Sequence, residues 1–198
     1  MSNAVDVRDA TDADLATVAS LHAERIGEGF LSSLGPGFLR RLYRRVLRSD
    51  DGFVLVAGGA NGGPAGFVAG VGSVGSLYRR FLLHDGVVAG ALAAPRLVRA
   101  APRVVETLRY PSTTGDLPDA EILSVAVAGD ASGRGIGTAL VRAATSEFAR
   151  RGVTTAKVVT TSDNAPALAM YRACGFATAA GVEVHPGRAS EVLVWTAS

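Results

Sequence analysis

Residues 120–140 read AEILSVAVAGDASGRGIGTAL, from Ala120 to Leu140. Ala120–Ala128 is apolar apart from Glu121 and Ser124, and predicts a buried strand. Gly129–Gly137 is glycine-rich. Ile136, Leu140, Val141, Ala144 and Phe148 then recur with helical period, and Arg151-Gly152 closes that helix. A strand, a glycine loop and a helix in this order can hold an anion: glycines let backbone approach a ligand, and free N–H groups at a helix start attract phosphate. The loop is not a Walker loop, because no Gly-Lys-Ser/Thr is present, and the dinucleotide-binding spacing with its later acid is absent too. Taken alone, the stretch also reads as an ordinary strand-to-helix turn.

Downstream lies Asn164-Ala165-Pro166-Ala167-Leu168-Ala169-Met170-Tyr171-Arg172-Ala173-Cys174-Gly175-Phe176. Asn164-Ala165-Pro166 predicts the start of a short helix through Ala173, with Gly175 ending it. Together the two segments resemble the GCN5-related N-acetyltransferase (GNAT) superfamily. The family's loop pattern, Arg/Gln-x-x-Gly-x-Gly/Ala, is met by Ser132-Gly133-Arg134-Gly135-Ile136-Gly137 except at its first position, Ser132. The later pattern of Asn, Tyr and Gly-Phe is met in full by Asn164, Tyr171 and Gly175-Phe176.

The rest of the chain is consistent with that fold. Val5–Arg8 alternates as a strand. Thr11 and Asp14 predict a capping box ahead of a helix that ends near Gly27. Gly35-Pro36-Gly37 opens a second helix, with Leu39, Leu42, Tyr43, Val46 and Leu47 on one face and Arg40, Arg41, Arg44, Arg45 and Arg48 on the other. Phe53–Ala57 and Ala65–Val71 predict a hairpin. Val153–Thr161 reads as a strand, and Phe176–Val184 with Glu191–Thr196 as a terminal hairpin. The expectation is a single α/β (α+β) domain over residues 1–198. Its mixed central sheet has about six to seven strands flanked by about four helices, with a helical insertion at 73–118.

The resemblance implies acetyl-coenzyme A as the acetyl donor. It implies that the edge formed by Val125, Ala126 and Val127 hydrogen-bonds the pantetheine arm, with an N–H near Val127 on the thioester carbonyl. It gives the pyrophosphate to the N–H groups of Gly133, Arg134, Gly135, Ile136, Gly137 and Thr138, and further pantetheine contact to Asn164. Tyr171 is implied as the acid that protonates the departing thiolate, a phenol being suited because its pKa of ~10 is not far above that of a thiol. Glu121, at the start of the strand, is the candidate base; the alternative is a surface carboxylate at a strand end. Ser132 removes a positive charge that Arg134 can partly replace. Cys174 has no His near it in sequence and reads as a buried thiol.

Composition narrows the acceptor. With 48% hydrophobic and 19% charged residues and one cysteine, the chain reads as globular and cytoplasmic, with no disulfide framework. No apolar run approaches the ~20 residues that span a bilayer. The three histidines lack metal-ligand spacing, so no metal is expected, and nothing points to nucleic acid. Nineteen of the twenty basic residues are Arg, Lys157 being the exception, a bias that codon composition accounts for. Residues 35–110 hold eleven Arg against four carboxylates although the chain's net charge is +2. Arg79, Arg80, Arg96, Arg99 and Arg103 in the insertion therefore suggest an anionic acceptor; packing of the insertion on the domain is the plainer reading. The expected function is acetylation of a small-molecule primary amine by direct attack in a ternary complex. Protein-amine acetylation and a degenerate coenzyme A-binding module are the rivals. In acetyltransferases of ribosomal-protein N-termini the resemblance implies a Glu five residues before the Asn, where this chain has Val159. A homodimer is a further expectation, since dimers are common in such folds.

Overall fold

The computed structural model describes residues 5–26, 35–59, 63–77, 117–185 and 188–197. Among them are seven strands: β1 (Val7–Asp9), β2 (Gly52–Gly58), β3 (Pro64–Val71), β4 (Glu121–Val127), β5 (Thr155–Thr161), β6 (Phe176–His185) and β7 (Arg188–Thr196). Four α-helices accompany them: α1 (Leu15–Arg25), α2 (Pro36–Leu47), α3 (Ile136–Arg150) and α4 (Ala165–Ala173). A single 3₁₀ turn, Gly129–Ala131, lies between β4 and α3.

The strands form one mixed sheet in the order β1-β2-β3-β4-β5-β7-β6. Every neighbouring pair is antiparallel except β4 and β5. This is the expected mixed α/β architecture. The insertion at 73–118 and its arginines fall almost wholly outside the described residues, which include only its ends at 73–77 and 117–118.

Alternation along the strands divides the core between two faces. Phe53, Leu55 and Ala57 of β2 join Leu140, Val141, Ala144 and Phe148 of α3 and Leu168 and Tyr171 of α4. Val54 and Val56 join Leu15, Val18, Leu39, Tyr43 and Val46 from α1 and α2 on the other face. The arginines of α2 are thus turned from the core. Arg44 and Arg48 reach Asp12 at 2.9 and 3.0 Å.

Local starts and stops follow chemistry with small departures. The box at Thr11 forms from one side only. Asp14 Oδ2 accepts from the Thr11 N–H at 2.8 Å, but the Thr11 hydroxyl donates to the same carboxylate rather than capping a helix N–H. Arg8 holds that carboxylate by two further bonds of 2.8 and 2.9 Å, and the helix begins at Leu15. β5 starts at Thr155 rather than Val153, because the turn at Gly152 (φ +77°) still carries the chain from α3. The final hairpin is longer than expected, and its second strand, β7, sits inside β6.

Candidate active site

The site is organised by a fault in the sheet. β3 and β4 pair as Ala69↔Ser124 and Gly70↔Ile122, so Leu123 is an extra residue in β4. A bulge bends its strand and disrupts the ladder. On its other side β4 pairs with β5 only at Glu121↔Lys157 and Ile122↔Val158. Past that rung, the strands make no further pair and a gap opens between them. β4 leads from its open end into α3, and β5 into α4. Ligands of α/β sheets bind at such a point, where parallel strands end and their connections diverge.

The glycine loop lines the mouth of the gap. Gly133 and Gly135 have φ of +77° and +79°, and a Cβ on either would meet nothing within 4 Å. They therefore supply a left-handed turn beside open space. The first backbone bond of α3 is Ala139 N–H to Gly135 O, 3.0 Å. The N–H groups of Gly133, Arg134, Ile136, Gly137 and Thr138 have no acceptor among the described residues. Such a set of free donors at a helix N-terminus fits the phosphates of a nucleotide cofactor. Gly137 has a second role: a Cβ there would lie 2.8 Å from Met170 Sδ, so its bareness lets α4 approach α3. Ile136 is buried, whereas Arg134 and Ser132 are exposed. Val125 and Val127 pack on the α3 and α4 face, and Ala126 on the opposite one.

α4 supplies Asn164 and Tyr171. Asn164 is exposed, and its Oδ1 caps the helix by accepting from the Ala167 N–H at 3.2 Å. Its amide donors remain available. Tyr171 is buried, its ring tilted against Phe176 at 5.6 Å, and its hydroxyl makes no hydrogen bond among the described residues. Burial raises its pKa well above the usual phenol range, which keeps it protonated. Cys174 is half-buried, and its thiol faces Thr138 O at 3.8 Å. Burial pushes its pKa up too, so it is held as a thiol between α3 and α4 rather than as a nucleophile.

Glu121 stands on the rung before Ile122↔Val158, the last before the gap. Its side chain is 13% exposed and that of Lys157 5%, with Lys157 Nζ 3.5 Å from Glu121 Oε2. That oxygen is buried and has no close hydrogen bond among the described residues. Burial pushes the Glu121 carboxyl up to about 7 against the opposing pull of Lys157. A carboxylate that titrates near neutrality is suited to accept a proton. It is therefore not the surface carboxylate that a strand end also allowed.

A profile of the acetyltransferase (GNAT) family matches residues 27–176. The chain belongs to that family. It has the GNAT fold, which its solved neighbours share. A GCN5-related N-acetyltransferase from Kribbella flavida superposes with a TM-score of 0.68 at 19% identity, covering 100% of both chains. A chain of the NatC complex bound to Gag peptide and CoA superposes with a TM-score of 0.63 at 13% identity, covering 98% of this chain and 99% of that one. In sequence, a segment of 68 residues is 40% identical to mycothiol acetyltransferase from Saccharomonospora viridis, 34% of this chain and 22% of that protein. The acetyltransferase thus spans only about a fifth of that relative. No described helix is long and apolar enough to cross a membrane.

Two features of the acetyltransferase escaped the sequence reading. Lys157 belongs to neither motif. A lone ammonium inside the strand Ala156-Lys157-Val158-Val159 signals a buried partner, because such a charge is costly without one. The second is a polar cluster on the α1 and α2 face of β4. The bulge brings Ser124 beside the Tyr43 hydroxyl, which lies 2.5 Å from His22 Nδ1. Burial lowers the His22 pKa to about 4, and its Nε2 has no hydrogen-bond partner among the described residues.

Proposed function

We propose that this acetyltransferase transfers the acetyl group of acetyl-coenzyme A to a primary amine of a small molecule, by direct attack in a ternary complex. The observation that carries the donor assignment is the gap past Ile122 and Val158, capped by the free N–H groups of the glycine loop.

The donor, when bound, supplies an acetyl thioester. Gly133, Arg134, Gly135, Ile136, Gly137 and Thr138 hold its pyrophosphate through backbone N–H groups. The open edge of β4 at Val125, Ala126 and Val127 takes the pantetheine arm in place of a neighbouring strand. An N–H near Val127 stabilises negative charge on the thioester oxygen. The Asn164 amide donates to the arm while its oxygen stays in the cap. Glu121 takes a proton from the amine as the N–C bond forms. Tyr171 gives one to sulfur as the C–S bond breaks. One proton is taken and one given, and solvent restores both groups.

The Val159 position and the mycothiol-named relative support a small-molecule acceptor over a protein terminus. Thiol release from acetyl-coenzyme A tests this, with a panel of small primary amines (ethanolamine, tyramine, spermidine) beside peptides with free N-termini. Release driven by small amines is expected; release driven only by peptides overturns the acceptor assignment.

A further inference from the structure

We infer that Lys157 is a positioning residue for acetyl transfer, holding the Glu121 carboxylate ionised at the closed end of the gap. The inference rests on the reading of Glu121 as base.

The geometry is a clamp on the rung next to the one where the strands part. Glu121 and Lys157 are register partners. The Lys157 N–H donates to Ala120 O at 2.8 Å, and its Nζ donates to Pro118 O. The ammonium is therefore tied to the segment that delivers Glu121, not to a mobile surface. It stands 3.5 Å from Oε2, near enough for Coulomb attraction but at the outer limit of a hydrogen bond. The charge is supplied without a short bond to that oxygen. An arginine fork would bind both carboxylate oxygens and use up the base. That gives a reason for lysine here, in a chain whose other nineteen cations are arginine.

Among the described residues, the surroundings supply no substitute charge. Across β3 the register partner of Glu121 is Val71, and across β7 that of Lys157 is Val194. Among the described residues, the charges acting on Glu121 are Lys157 and, with opposite effect, Asp119. Desolvation alone favours the neutral acid, so the ammonium keeps the carboxylate ionisable in the neutral range.

The test uses the whole chain. Because Lys157 is the only lysine, side-chain labelling of lysine gives a single NMR signal. That signal should inflect near pH 7 as Glu121 ionises, and the inflection should vanish in Glu121→Gln. A signal flat from pH 5 to 9 overturns the inference, and this arm needs no lysine variant to fold. In Lys157→Met, labelled Glu121 should titrate at least about one pH unit higher than in the parent, equivalent to about fivefold less ionised base at pH 7. Lys157→Arg should not move it upward. Acetyl-coenzyme A consumption over the same amine panel should then fall about fivefold or more at pH 7 in Lys157→Met and recover near pH 9. An unmoved Glu121 midpoint in folded Lys157→Met also overturns the inference. Full activity of Glu121→Gln over that panel overturns the base reading instead, whatever the lysine signal shows.

Discussion

Gly137 and Met170 are packed so closely that a single added carbon would collide: a Cβ on Gly137 would lie 2.8 Å from Met170 Sδ. Met170 precedes Tyr171 on α4. The spacing of α3 and α4 is thereby linked to the position of the candidate acid.

Gly137→Ala should act through that contact. Overpacking typically costs about 1–3 kcal/mol, and α4 must move or Met170 must turn. A lowered melting temperature is expected, with a kcat defect larger than the change in acetyl-coenzyme A affinity. Thermal melts and steady-state kinetics would show it. An unchanged kcat would mean that Tyr171 does not depend on this packing.

Gly135→Val should do the reverse. Its Cβ would enter open space at the mouth of the gap, at φ +79°. Left-handed backbone costs a non-glycine residue roughly 1–2 kcal/mol, and the side chain would crowd the phosphates. Calorimetric titration should show acetyl-coenzyme A binding weakened at least about tenfold, about 1.4 kcal/mol. Parent-like affinity would remove the loop from the site.

Tyr171→Phe keeps the ring against Phe176 and deletes only a hydroxyl that bonds to no described residue. Stability should therefore hold. If the phenol donates in the transition state, kcat should fall about 10²-fold or more with donor affinity little changed. Parent-like turnover would assign sulfur's proton to another source.

Asp14 governs acid stability at the start of α1. Arg8 and Thr11 hold its carboxyl well below the usual range. A lowered folded-state pKa gives stability that is present above the unfolded value near 3.8 and is lost as pH falls below it. Asp14→Asn should thus melt lower at pH 7, by about 2 kcal/mol for charge-assisted bonds. The difference from the parent should shrink below about pH 4. A gap that is constant from pH 7 to pH 3 would show that the carboxylate's charge plays no part.

Local signals carried much of this molecule. Period and glycine placement located β4, α3 and α4, and the Asn164, Tyr171, Gly175-Phe176 series located the second half of the site. Long-range pairings were not legible. Placing β7 between β5 and β6 needs contacts that no local pattern encodes, and the extra residue at Leu123 does not interrupt the apolar run around it. Glu121 and Lys157 meet only because two parallel strands share one rung, so their ion pair was not legible in the sequence. Gly137 was legible as a loop glycine, but not as the hole that receives Met170.

Direct transfer of acetyl from acetyl-coenzyme A to a small primary amine is the proposed reaction. Following an isotopic acetyl label from the donor through the folded chain, with the amine panel present, tests it most directly. The expected result is label on the amine nitrogen, none on the protein, and velocities for donor and amine that intersect as a ternary complex requires. Label trapped on the protein, or label that leaves the donor no faster with enzyme and amine than without them, would contradict it.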